Sequence, residues 1–143
     1  MIQSYGARMI LAAAITAVAP SIAAAETPVP TALTTLQPGQ WQLRSLNGSA
    51  PPKLICIGDP RALLQLRHNS ATCTRLLIVN NRTEAVVTYS CAAAGNGRTS
   101  VRVETPRVIQ IESQGIADKS PFEWSYEGRR VGECPGTAQT ALR

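Results

Sequence analysis

The stretch CTRLLIVNNRTEAVVTYSC, residues 73–91, decides the fold. Two runs rich in β-branched and apolar residues meet at a polar centre, Asn81-Arg82-Thr83. This pattern is typical of a β-hairpin, because strands favour such residues and asparagine tolerates the positive φ that short loops often need. In the register whose paired positions sum to 164, the facing pairs are Cys73 with Cys91, Leu77 with Val87, and Val79 with Ala85, and Tyr89 shares their side.

This register also predicts how the four cysteines pair. Facing residues on neighbouring antiparallel strands lie close enough for a disulfide, so we expect a Cys73–Cys91 bridge. By elimination, Cys56 joins Cys134. No C-x-x-C motif brings two thiolates to one metal ion, and the single histidine, His68, is expected in an exposed loop. The cysteines are therefore predicted to staple the fold, with no metal site and no cofactor.

Residues 1–25 have the layout of a secretory signal peptide. Arg8 precedes an apolar run that ends at Pro20, and small residues follow at positions 23–25. The run is shorter than the roughly 20 apolar residues that span a membrane, so no stable membrane insertion is expected after cleavage. We predict cleavage after Ala25, a mature chain beginning at Glu26, and a periplasmic or secreted location. An even number of cysteines suits such an oxidising compartment.

The mature chain has the length of one domain. An extended leader (26–39) is expected before a single β-rich domain (40–135) and a loose tail (136–143). Without Arg8, 13 basic residues exceed 9 acidic residues by 4. These charges are scattered and form no basic stripe, so nucleic acid is excluded as a partner.

Alternation of apolar and polar residues predicts further strands. Short strands are expected at 41–45 and 53–57, and clear alternation continues at 98–105, 107–113 and 121–134. A short helix is expected at 59–68, since Asp59 suits the N-cap and Pro60 the first helical position. The chain is therefore predicted to be mainly β, with about seven short antiparallel strands, one short helix and two disulfides. Meander, sandwich and open barrel remain open as architectures.

The order of these features resembles a known family. A strand in PGQWQLRS, a strand ending at Cys56, a helical stretch, the 73–91 hairpin and the ending GRRVGEC follow one another. This series is similar to the small exported proteobacterial proteins classed as domain of unknown function 3617. The segment after Cys56, IGDPRALL, departs from that family's usual helix start, and a common Met-rich stretch is missing. The resemblance implies export and a β-rich fold, and it implies no activity.

Three of the five aromatic residues after position 25 lie on one face of the last strand: Phe122, Trp124 and Tyr126. They are candidates to face an apolar ligand. The alternative is that they fill the core, because aromatic side chains bury large areas.

The sequence contains few residues in patterns that are typical of catalytic sites. No G-x-S-x-G motif is present, and the candidate acids Glu123 and Glu127 are expected on the wet face of the last strand beside Ser125. We therefore expect a non-catalytic binding or interaction module, with an apolar small molecule or a periplasmic protein as partner. The alternative is a small periplasmic hydrolase-like enzyme.

Overall fold

The fold is one antiparallel sheet with helical segments on one face. A computed structural model of the protein describes residues 28–136, so the predicted signal peptide and all of the tail except Gly136 lie outside the described residues. The seven strands are β1 (Gly39–Ser45), β2 (Lys53–Ile57), β3 (Thr74–Asn80), β4 (Glu84–Ser90), β5 (Gly95–Thr105), β6 (Val108–Ala117) and β7 (Ser120–Gly132). The predicted fold class is confirmed.

The strands lie in the order β2-β1-β7-β6-β5-β4-β3, and every neighbouring pair is antiparallel. Strands β3 to β7 form a meander, and the β1–β2 hairpin joins it through β7. The strands therefore form a single sheet, and not the two packed sheets of a sandwich, which the sequence allowed as one alternative. Strands β5, β6 and β7, with 11, 10 and 13 residues, are longer than the short strands expected. No helix among residues 28–136 is long and apolar enough to cross a membrane.

One face of the sheet, the inner face, carries the core. Three 3₁₀ helices belong to the fold, η1 (Thr31–Thr35), η2 (Pro60–His68) and η3 (Ala92–Ala94). Of these, η1 packs on β4 and β5, and η2 packs on β5 and β6. The buried side chains beneath them include Leu43, Val87, Val101, Ile109 and Ile111. Along β1, β5 and β6 they alternate with more exposed residues, and the other side of the sheet is a largely solvated outer face, on which Val86 of β4 is also buried.

The leader is not wholly extended. Its residues 31–35 form η1, and Ala32, Leu33 and Leu36 are buried in the core. Trp41 Nε1 donates to Gln37 O at 3.1 Å, which fixes the end of the leader to β1. Apolar contact with the sheet explains a helix that the Pro- and Thr-rich sequence does not signal.

The helix predicted at 59–68 is present as η2, with 3₁₀ geometry and a kink at Gln65 (φ −145°). Asp59 caps it as predicted, since its carboxylate accepts from Arg61 N at 2.9 Å. Pro60 occupies the first helical position, where its missing N–H costs nothing.

The hairpin follows the predicted register over most of its length. The pairs Thr74–Ser90 and Leu77–Val87 keep it, but an irregularity between Leu77 and Val79 pairs Val79 with Val86 in place of Ala85. The loop holds the three predicted residues, 81–83, without the expected positive φ. Asn81 instead accepts from Thr83 N at 2.9 Å and from Glu84 N at 2.8 Å through Oδ1.

Both predicted disulfides are present. Cys73 pairs with Cys91 across the open end of the hairpin, with Cα atoms 4.1 Å apart. Cys56 on β2 pairs with Cys134 just after β7, with Cα atoms 5.5 Å apart. Because β1 lies between β2 and β7, this second bridge ties the edge strand across its neighbour.

Candidate functional site

The three candidate aromatic residues lie on the inner face. Ladder partners share a face of the sheet, and Tyr126 faces Ile111 while Trp124 faces Ser113. Phe122 faces Gly115 in the same way. The predicted single aromatic face is therefore the face that carries the core.

These aromatic side chains are half-buried and contact one another or the core. The Trp124 and Tyr126 ring centroids are 4.9 Å apart, and Lys53 Nζ lies 4.6 Å from the Tyr126 centroid. The Phe122 centroid is 5.9 Å from that of His68. Trp124 and Tyr126 pack against the core cluster. Packing accounts for these contacts, and the ligand-facing role stays a prediction.

The exposed-loop position predicted for His68 is wrong. It is the last residue of η2 and is only 6% exposed. Its Nε2 lies 3.0 Å from Ala94 O, and because a carbonyl oxygen only accepts, this nitrogen carries a proton. In the neutral ring, Nδ1 then accepts from the Tyr89 hydroxyl at 3.2 Å. His68 thus joins η2 to β4 and η3.

Two hydroxyl groups extend this buried cluster. Thr99 and Ser113 lie on neighbouring strands, and their side-chain oxygens are 2.8 Å apart. Burial raises the pKa of Tyr89, while its hydrogen bonds with Ser113 and Thr99 act in the opposite direction. Together these hydrogen bonds give each buried polar group a partner, because a polar group buried without one would be destabilising.

The cluster needs a glycine at position 97. A Cβ placed there would lie 2.5 Å from Tyr89 Oη, so the aromatic side chain covers the space that a larger residue would fill. Gly95 opens β5 at a φ of +124°, a conformation that favours glycine. These glycines let η3 and β5 approach the His68–Tyr89 pair closely.

His68 is not joined to an acid in a Ser-His-acid arrangement among residues 28–136. Among residues 28–136, no carboxylate bonds to His68, and Tyr89 stands between His68 and Ser113. A search of the same residues finds no cluster of three or more metal-binding side chains. These groups are buried and hydrogen-bonded to one another, which suits a structural network.

Of the two candidate acids, Glu127 is engaged by arginines, whereas Glu123 forms no side-chain hydrogen bond or ion pair with residues 28–136. Glu127 accepts from Arg129 Nε at 2.8 Å and from Arg44 Nη2 at 3.3 Å, and these bonds, with Arg129 first, lower its pKa. Arg61 likewise lowers the pKa of Asp59, mainly through its side-chain hydrogen bond. Neither acid has the raised pKa that a general acid at neutral pH needs.

The two sheet edges differ sharply. Strand β2 has five residues, begins with Lys53 after Pro51-Pro52, and is held by the Cys56–Cys134 bridge. Short length, lysine and proline are the features by which proteins protect an edge. Strand β3 has seven residues and neither lysine nor proline, and it exposes Leu76, Leu77 and Ile78.

The surroundings of the β3 edge are basic. Arg75 on β3 donates to Gln65 Oε1, a neutral acceptor, at 2.8 and 2.5 Å. Arg82 lies in the loop after β3. Neither guanidinium forms an ion pair with any residue from 28 to 136. The irregularity at Ile78 limits the regular part of the edge to Thr74–Leu77.

The outer face holds a concavity that the sequence did not predict. It has a volume of ≈ 1030 Å³, and a second recess of ≈ 350 Å³ adjoins it. Both recesses are lined by Arg98, Gln114 and Glu123, so we describe them together as the outer groove. These residues come from three strands, and no local motif marks them, because only the strand register brings them into one row.

Comparison with known proteins does not identify a relative of this chain. A scan against family models and searches of curated proteins and solved structures find no match for the chain. The resemblance to domain of unknown function 3617 therefore stays a prediction.

Proposed function

We propose that this protein is an exported, disulfide-stapled and non-catalytic interaction module that binds an extended segment of another protein along β3. The observation that carries the proposal is the contrast between a protected edge, β2, and an unprotected, apolar edge, β3. An exposed edge offers unpaired backbone N–H and C=O groups, to which an extended segment can add as a further strand.

Charge indicates the kind of segment. Arg75 and Arg82 flank the edge without an ion pair among residues 28–136, and the chain carries a net charge of +5. A second copy would bring the same positive charge to the interface. An extended segment with apolar residues and at least one acidic residue complements both the leucines and the arginines.

The proposal depends on a filled interior as well as an open edge. Trp124 and Tyr126 pack against the core, and His68 is buried in a hydrogen-bonded cluster. Strand addition requires neither a cavity nor a reactive side chain, since main-chain hydrogen bonds provide much of the affinity.

Selection from a random peptide library on the folded, disulfide-bonded protein tests this function. Selected peptides should combine apolar and acidic residues and should protect the amides of residues 74–77 from hydrogen exchange. Leu76→Glu should weaken binding about tenfold or more, which corresponds to about 1.4 kcal/mol, because it removes an apolar contact and repels an acidic partner.

Leu54→Glu is the matched control on the other edge. Leu54 and Leu76 are 57% and 64% exposed, so both substitutions place a carboxylate at an exposed edge leucine. Leu54→Glu should leave affinity within about twofold. The proposal is overturned if no peptide is selected, if bound peptides leave residues 74–77 unprotected, or if those amides become protected only through dimerisation of the protein.

A further inference from the structure

The outer groove crosses five strands. One row of ladder partners runs from Leu76 on β3 through Thr88, Arg98 and Gln114 to Glu123 on β7. Adjacent strands lie about 4.8 Å apart, so this row is about 19 Å long. A neighbouring row contributes Thr74, Ser90, Asn96, Ile116 and Pro121 to the lining. The groove is thus long enough for several units of a chain-like ligand.

Four polar side chains that line the groove have no partner among residues 28–136. Asn96, Arg98, Gln114 and Glu123 form no side-chain hydrogen bond or ion pair with residues 28–136. Elsewhere on the outer face, Glu127 is bonded by two arginines. Water satisfies isolated polar groups on any surface, but here amides and charges converge on one concave floor.

The backbone and charge of the groove exclude two ligand classes. Strands β4 to β7 are paired on both sides, so a peptide cannot add to them as a strand. The lining has two arginines, Arg75 and Arg98, against two carboxylates, Glu112 and Glu123, so its charges balance. Nucleic acids and phosphorylated ligands need an excess of positive charge, which this lining does not provide.

The remaining chemistry fits a ligand rich in hydroxyl groups. Hydroxyl and amide side chains donate and accept hydrogen bonds, and the exposed Ile116 and Leu76 offer apolar contact toward opposite sides of the groove. We infer that the outer groove binds a neutral oligosaccharide. The groove shares Thr74 and Leu76 with the β3 edge, but side chains bind this ligand, whereas unpaired backbone groups of β3 would bind an added strand.

A glycan array that carries neutral and acidic glycans, probed with the folded protein, provides the first measurement. Bound neutral glycans are then titrated against the protein by NMR. Gln114→Ala and Arg98→Ala should each weaken binding about tenfold, because each removes hydrogen bonds to the ligand. Neither substitution touches Leu76, so the result does not depend on the β3 edge.

The sheet supplies matched controls. Gln110 lies on β6 and Arg102 on β5, on the same outer face as Gln114 and Arg98 but outside the groove lining. Gln110→Ala and Arg102→Ala should leave glycan affinity within about twofold. The inference is overturned if no neutral glycan binds, if groove and control variants behave alike, or if only acidic glycans or peptides shift the groove resonances.

Discussion

At the scale of single residues, burial assigns His68 a role that its local sequence hides. The stretch HNSATC is polar and suggests a loop, but the imidazole contacts Tyr89, which lies 21 residues away, and Ala94, which lies 26 residues away. Such partners depend on tertiary packing, and no local pattern reports them. The same holds for Thr99 and Ser113, which lie on neighbouring strands and meet only through the fold.

Replacement of this histidine should destabilise the fold. His68→Ala removes the partner of the Ala94 carbonyl and one partner of the Tyr89 hydroxyl, and a buried unsatisfied group costs about 1–3 kcal/mol. Denaturant unfolding should show a loss of that size. The control is Arg67→Ala, whose side chain is exposed in a surface ion pair with Asp118 and should change stability by about 0.5 kcal/mol or less. Equal stability of the two variants would contradict the structural role.

At the scale of elements, the sequence correctly predicted the strands, turns and helix caps that depend on neighbouring residues in the chain. The hairpin loop, strand β2 and the Asp59 cap lie where turn chemistry and alternation place them. The shift at Ile78 and the 3₁₀ helix of the leader were not predictable, since both depend on contacts with distant residues. The outer groove was missed for the same reason.

The two disulfides should contribute unequally to stability. The Cys56–Cys134 bridge spans 78 positions and the Cys73–Cys91 bridge spans 18. The loop-closure model assigns them about 4.5 and about 3 kcal/mol, because a longer loop restricts the unfolded chain more. Replacing Cys56 and Cys134 together with alanine should therefore lower the unfolding free energy more than replacing Cys73 and Cys91. Calorimetry or denaturant unfolding of the two double variants checks the order, and the reverse order would refute the entropic account.

At the scale of the whole molecule, the arrangement of the strands determines which surfaces are available for binding. Sequence alternation predicts an antiparallel sheet with one buried face, but it does not give the strand order. Only the order β2-β1-β7-β6-β5-β4-β3 shows that the protected β2 and the unprotected β3 are the edges. It also aligns the polar residues of the middle strands across one solvated face.

The predicted export would place the protein in an oxidising compartment, where both disulfides can form. The protein made with residues 1–25 should be recovered from the periplasm with Glu26 as its first residue and with both bridges formed.

Folded domains are stable by only about 5–15 kcal/mol, so bridges of about 3 and about 4.5 kcal/mol form a large share of that margin. The same chain made without residues 1–25 in a reducing cytoplasm should therefore be poorly folded. N-terminal sequencing, thiol titration and near-ultraviolet circular dichroism of both preparations measure this, with the periplasmic protein reduced by dithiothreitol as the matched control. An exported protein that retains Met1 would contradict the predicted cleavage. A reduced chain that unfolds as cooperatively as the oxidised one would show that the fold does not depend on the disulfides.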